Sequence, residues 1–264
     1  MPAGRVPKVA VYKFSSCDGC QLTLLNLEDE LLSLAGQVEF AYFLEASSRT
    51  APGPYDLVLV EGSVSTPEER QRIQRVREQA GTLVALGTCA TAGGIQALRN
   101  FTDVNELAAE VYPDPTVLQV LPTSSPLSDH VKVDIELWGC PINKGQLLEV
   151  VAAVLQGRSP SLARTAVCAE CKRTGAACVL VADGVACLGP LTRSGCGALC
   201  PNAGRGCYGC FGPVPEAQVE AMIPILRAHQ RYPGEAIHLL RHVSANAPAF
   251  RQAAALLAKG EAKA

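Results

Sequence analysis

Val9-Ala10-Val11-Tyr12-Lys13-Phe14-Ser15-Ser16-Cys17-Asp18-Gly19-Cys20 joins an apolar, β-branched run to a CxxC pair. Val9–Phe14 reads as a buried strand, and the serines behind it mark a turn. QLTLLNLEDELLSLA (21–35) then carries leucines at helical spacing. One helix is expected there, capped by Ser15 or Ser16 and ended by Gly36. Val38–Leu44 and Asp56–Val60 read as further strands, the second leading into Glu61-Gly62-Ser63. Thr66-Pro67-Glu68-Glu69 opens a helix with a cap, a proline at the first position and acids in the first turn. Thr82–Leu86 is a fourth strand, ending in GTCATAGG (87–94), with a short helix after it. VKVDIELWGCPIN (131–143) supplies another strand-like run, and Gln146–Leu155 another helix. Strand and helix alternate, which implies an α/β fold with a parallel sheet covered on both faces.

Sheets of that kind bind ligands outside the carboxyl ends of their strands. Cys17 and Cys20 follow the first strand, Cys89 the fourth, and Cys140 the last strand-like run. A lone cysteine at a strand end is ordinarily a small buried hydrophobe. Four of them at one edge point instead to a shared Cys₄ site. The rival occupant of such an edge is a phosphate group, but the loop after the first strand has neither GxGxxG nor GxxxxGK[ST]. Glu61 ends a strand at the same edge. It is read as a loop carboxylate facing water, in preference to a proton relay or an anchor for backbone donors.

The other eight of the twelve cysteines, at 168, 171, 178, 187, 196, 200, 207 and 210, lie in CAECKRTGAACVLVADGVACLGPLTRSGCGALCPNAGRGCYGC. Glycine, proline and alanine fill the gaps, so little bulky apolar material is available for a core. Eight thiolates suffice for two Cys₄ sites. Disulfides suit secreted chains, and MPAGRVPKVAVYKF does not read as a signal peptide. Structural zinc matches the CxxC pairs at 168/171 and 207/210. Buried unligated thiols suit a loop-rich segment poorly. Cys200-Pro201 closes a cysteine run as ferredoxin motifs do, which favours iron–sulfur ligation.

The 264-residue chain is long enough for one large or two ordinary domains, read as 1–157 and 158–264 across a linker at Gly157–Pro160. A net charge of −2 points to neither nucleic acid nor an anionic membrane surface. No apolar run is long enough to cross a bilayer. Helices are expected around Ala217–Arg227, Pro233–Val243 and Pro248–Ala258, with a frayed tail over Lys259–Ala264. His130, His229, His238 and His242 form no metal-binding set and read as surface or packing residues.

Laid out in this way, residues 8 to about 213 resemble the small, electron-transferring subunit of nickel–iron hydrogenases. The resemblance rests on Cys17-Asp18-Gly19-Cys20, Val60-Glu61-Gly62-Ser63, the Gly87–Gly94 loop and Gly139-Cys140-Pro141. It implies a flavodoxin-like domain followed by a loop-rich iron–sulfur domain with C-terminal helices, and three 4Fe-4S clusters. The proximal cluster would be held by Cys17, Cys20, Cys89 and Cys140. Cys168, Cys171, Cys178 and Cys187 would hold the distal one, with Cys168 where the periplasmic enzymes have histidine. Cys196, Cys200, Cys207 and Cys210 would hold the medial one, where the three-iron version has one cysteine fewer. The all-cysteine pattern is similar to the cytosolic enzymes, among them sulfhydrogenases and those coupled to heterodisulfide reductase or deazaflavin. Implied partners are a nickel–iron large subunit and a flavin or iron–sulfur diaphorase-type subunit, in a cytoplasmic hetero-oligomer. The related quinone-reductase subunit of respiratory complex I shares the first domain. It differs in having adjacent cysteines after the first strand and no eight-cysteine segment. A zinc-stabilised interaction module is the rival outside redox chemistry.

Overall fold

The computed structural model describes residues 5–261, so Met1–Gly4 and the last three residues of the expected frayed tail lie outside it. The chain divides into two compact units between Leu162 and Ala163.

The first unit is built on five parallel strands: β1 (Lys8–Lys13), β2 (Glu39–Phe43), β3 (Tyr55–Glu61), β4 (Ala80–Leu86) and β5 (Ile135–Leu137). Their order is β2-β1-β3-β4-β5, the flavodoxin-like doubly wound arrangement, with its switch point between β1 and β3. Side chains alternate through the sheet. Val9, Val11, Leu57, Leu59, Val84 and Leu86 face one core layer. Ala10, Tyr12, Val58, Val60, Leu83 and Ala85 face the other. Burial on both faces is why these strands read as continuous apolar runs.

Helices α1 (Gly19–Leu25) and α2 (Asp29–Ala35) connect β1 to β2, and α3 (Pro67–Gln79) connects β3 to β4. Leu24 and Leu27 join the first layer together with Leu147, Val150 and Val151 of a later helix (Lys144–Leu155). Ile73 and Val76 of α3 join the second. The single helix expected over 21–35 is broken in two, because Glu28 takes a left-handed φ of 55° that a helix cannot pass through. The α3 cap is as expected: Glu69 N–H donates to Thr66 Oγ1 at 3.1 Å, and the Glu69 carboxylate accepts from Thr66 N–H at 3.1 Å. The GTCATA run is itself helical, α4 (Gly87–Ala92), so Cys89 sits on a helix rather than on a loop ahead of one. Beyond it lie α5 (Val104–Val111) and the helix already noted, α6 (Lys144–Leu155).

In the second unit short helices α7 (Val167–Thr174), α8 (Val179–Ala182) and α9 (Leu199–Asn202) punctuate the cysteine-rich loops. The buried cluster there is small: Val167, Val179, Ala198 and the thiols Cys187 and Cys207. Helices α10 (Val219–Ala228), α11 (Glu235–Leu240) and α12 (Pro248–Glu261) follow. They bury Met222, Leu226, Leu240, Phe250 and Leu257. The helix expected over Pro233–Val243 contracts to α11, and α12 runs on into the stretch expected to fray. Ser244 Oγ donates to Gly209 O at 2.8 Å, tying these helices to the cysteine segment.

Candidate iron–sulfur sites

The loops after β1 and β3 are stitched together at the switch point. Ser63 N–H donates to Ser15 O at 2.9 Å, and Ser15 N–H to Ser63 O at 3.2 Å. Ser15 does not cap α1 as expected, nor does Ser16. The Ser15 hydroxyl donates to Glu69 Oε1 at 2.9 Å, and no side chain of the preceding turn caps α1.

Glu61 fills that role, and the expectation of a water-facing loop residue is corrected. It is 1% exposed, at the end of a strand lying beside β1. Its carboxylate accepts the N–H of Cys20 at 3.0 Å and that of Gln21 at 3.1 Å. These are two of the donors that a helix start leaves unpaired. Burial raises the Glu61 carboxyl above its ordinary range, and the two N–H groups act against that rise.

Cys17, Cys20, Cys89 and Cys140 stand around this carboxyl edge, Cys17 and Cys140 exposed, Cys89 half-buried and Cys20 buried. Burial pushes the Cys89 thiol up to about 12, and the sulfurs of Cys140 and Cys17 add to the rise. Cys20 rises by burial, then by Glu61, Cys89 and Cys140. The Cys140 thiol, though its residue is exposed, is raised by partial desolvation of the sulfur, then by Cys17 and Glu61. The thiols of Cys20, Cys89 and Cys140 are thus all raised, and a bound cationic centre would offset the cost of their thiolates. Backbone makes room for them. A Cβ on Gly87 would lie 2.4 Å from Cys20 Sγ, and one on Gly94 2.4 Å from Cys89 Sγ. Both glycines also hold positive φ, 77° and 64°. Gln96, which nothing in the sequence singles out, donates from Nε2 to Ser15 O at 2.7 Å and presents its side chain to Cys89.

In the second unit Cys168, Cys171, Cys178 and Cys187 line one cavity, together with Gly189, Pro190 and Pro201. Cys187 Sγ accepts the N–H of Cys207 at 3.2 Å and of Gly189 at 3.4 Å. Cys207 Sγ accepts from Gly209 N–H at 3.4 Å. Backbone N–H bonds to sulfur of this kind tune iron–sulfur clusters. Burial raises the Cys200 thiol, and Cys196 then Cys187 add to it. Cys207 is pushed up to about 12 by burial, with Cys187 and Cys210 contributing. Cys187 therefore borders both groups of four. No cysteine is in a disulfide. Among the described residues no three His, Cys, Asp or Glu side chains close on a single metal ion. The donor chemistry, the glycine cradle and the N–H···S bonds fit iron–sulfur clusters.

His130 bonds to Ser125 Oγ at 2.8 Å, while His238 and His242 pack against Tyr232 and Tyr208. No helix among the described residues is long and apolar enough to cross a membrane.

Residues 17–154 match the family model described as NADH ubiquinone oxidoreductase, 20 kDa subunit. Sulfhydrogenase 2 subunit delta of Pyrococcus furiosus is 36% identical over 220 residues, covering 83% of this chain and 92% of that one. A subunit of the vhu F420-non-reducing hydrogenase of Methanocaldococcus jannaschii is 34% identical over 235 residues, covering 78% of this chain and 81% of that one. Among solved structures, a chain of an NAD+-reducing [NiFe]-hydrogenase in the H2-reduced state superposes with a TM-score of 0.56 at 29% identity. It covers 60% of this chain and 95% of its own. A chain of the Desulfomicrobium baculatum [NiFeSe]-hydrogenase, 16% identical with a TM-score of 0.54, shares the fold over 79% of this chain and 95% of its own.

Proposed function

The chain belongs to the NADH ubiquinone oxidoreductase 20 kDa subunit family, as a relative of nickel–iron hydrogenase small subunits, and from that premise we infer that it wires electrons to and from a hydrogenase centre. The observation carrying this reading is that Cys17, Cys20, Cys89 and Cys140 all follow strands at one edge of the parallel sheet, where Gly87 and Gly94 leave room for the Cys20 and Cys89 sulfurs. Three 4Fe-4S clusters are assigned, one to these four cysteines. The second is held by Cys168, Cys171, Cys178 and Cys187, the third by Cys196, Cys200, Cys207 and Cys210. When bound, such clusters supply reversible one-electron transfer at potentials set by charge, burial and hydrogen bonds to sulfur. The chain's own part is to hold the thiolates, to cap α1 with Glu61 and to direct N–H groups at Cys187 and Cys207.

Hydrogen chemistry belongs to a nickel–iron large subunit, docked over the edge bearing Cys17 and Cys140. Leu22 and Ile95, 51% and 57% exposed, flank that edge and supply apolar contact surface. A flavin or iron–sulfur redox subunit takes up the electrons, in the cytoplasm, where thiols stay reduced. The complex I-like alternative shares the family model, which stops at residue 154. The eight-cysteine segment beyond it, and hydrogenase relatives covering most of the chain, favour the hydrogenase reading.

The test is anaerobic purification of the complex, with metal analysis and identification of co-purifying chains. About four irons per Cys₄ set and a hydrogenase large subunit are expected. Colourless protein holding zinc would overturn the reading.

A further inference from the structure

Glu170 lies inside the Cys168–Cys171 pair, on α7, and is half-buried. Its carboxylate reaches to the segment that holds Cys196. Oε1 accepts the N–H of Gly195 at 2.8 Å, and Oε2 accepts that of Ala198 at 3.2 Å. Cys196 Sγ is 3.9 Å from Oε2. Peptide groups on both sides of Cys196 thus hang on a carboxylate supplied by the other group of cysteines. Ala198 is buried and holds a φ of 55°, a region that residues with a Cβ occupy when their surroundings impose it. The charge-assisted bond from its N–H to Glu170 is such an imposition. One turn along α7, Thr174 Oγ1 donates to Asn202 Oδ1 at 2.9 Å, and Asn202 Nδ2 donates to Gly197 O at 2.9 Å. Helix α7 therefore grips the Cys196 loop at two points.

Resting on the reading of these cysteines as ligands of two four-iron clusters, we propose that Glu170 is a positioning residue. It fixes Cys196 as the fourth ligand of its cluster and, by its negative charge, lowers that cluster's reduction potential. The fixed charge opposes the electron that reduction adds, and charge is one of the properties that set cluster potentials. The hydrogen bonds hold open the loop geometry in which Cys196 presents its sulfur. Without them the loop is free to relax, and a three-ligand, three-iron site results.

Three variants of the anaerobically purified complex test this, each followed by iron analysis and by potentiometry with electron spin resonance. Glu170→Gln keeps one acceptor oxygen and loses the charge. Its iron content should match wild type, and one cluster should rise in potential. A tenfold higher reduced-to-oxidised ratio at fixed potential is expected, about 59 mV for a one-electron couple. That cluster should be the one lost in Cys200→Ala. Glu170→Asp keeps the charge and should stay near the wild-type potential. Glu170→Ala loses both bonds and should show a three-iron signal with loss of one iron. Unmoved potentials in Glu170→Gln, or a shift in the cluster lost in Cys171→Ala, would overturn the proposal while leaving the ligand reading intact. Wild-type complex without four-iron clusters would overturn both.

Discussion

The Glu61 carboxylate and the Cys20 backbone are joined across the sheet edge, Cys20 N–H donating to Glu61 Oε1 at 3.0 Å. Strand β3 thereby sets where helix α1 begins, and with it where the second thiol of the CxxC pair points. Glu61→Ala leaves the Cys20 and Gln21 donors without their acceptor in a buried place, which costs about 1–3 kcal/mol per group. The variant complex should lose thermal stability and yield less iron per chain. Glu61→Gln, keeping one acceptor, should fall between the two. Differential scanning with iron analysis on the same samples checks both.

Gly87→Ala should be worse for iron than for folding of the remaining chain. The added Cβ would meet Cys20 Sγ at 2.4 Å, in a backbone with φ of 77°. Loss of one cluster's iron is expected, with the signals of the other two retained. Gly157→Ala is the control. It shares a positive φ, 69°, but nothing lies within 4 Å of its Cβ. The control should cost about 1 kcal/mol in stability and keep all its iron. Equal iron in the two variants would show that the cradle is not needed.

His130 gives the first unit a pH dependence of known sign. Burial lowers its pKa, Asp129 acts the other way and Arg70 adds to the lowering. It bonds to Ser125 Oγ, and its carbonyl accepts from Gln74 Nε2 on α3 at 2.7 Å. A base whose folded pKa is depressed favours its neutral form in the fold. Below about pH 6.5 the unfolded chain then binds the extra proton first. The contribution is whole above that pH and shrinks as pH falls toward the folded value. Thermal midpoints of wild type should therefore drop between pH 7 and pH 5.5 more steeply than those of His130→Asn. Parallel pH profiles would contradict the assignment.

The sheet is legible in the sequence because burial on both faces leaves a signature in single runs such as Val9–Phe14 and Thr82–Leu86. Cysteines at strand ends are legible because few other residues stand in for a thiolate ligand. Glu61 escapes a sequence reading because its burial depends on β3 lying beside β1, an adjacency that skips β2 and leaves no local mark. The break between α1 and α2 is hidden by leucines that keep helical spacing through Leu24, Leu27 and Leu31, while the backbone turns at Glu28. Glu170 looks like a spacer inside CxxC, and its role exists in the fold of the following loop alone.

Cys168→His should keep a cluster in place, since imidazole ligates iron, and should raise its potential by removing a thiolate's charge. Cys168, Cys171, Cys178 and Cys187 line one cavity, so the shifted signal should vanish in Cys178→Ala and persist in Cys210→Ala. The reverse pattern, read by redox titration of each cluster, would mean that the eight ligands are divided differently. Cys187 is where such a redivision would occur, because its sulfur accepts the N–H of Cys207.

The last prediction concerns the face toward the large subunit. Leu22 lies on α1 one turn from Gly19, and Ile95 follows directly on Gly94, so both apolar side chains flank the carboxyl edge. They are 51% and 57% exposed, with no role in the core layers of the sheet. Burying a side chain of this size against a partner contributes about 1.5–3 kcal/mol, roughly ten- to a hundredfold in Kd. Leu22→Asp and Ile95→Asp should each weaken association with the large subunit by at least that factor, because a carboxylate adds a desolvation cost to the lost apolar contact. Folding and iron content should be unchanged, since neither residue belongs to a core layer of the sheet. The measurement is co-purification yield with the large subunit at graded salt, beside iron content of the small subunit. Apolar association resists salt, so the wild-type complex should survive concentrations that screen ion pairs. If both variants hold the large subunit as tightly as wild type, the docking edge lies elsewhere on this chain.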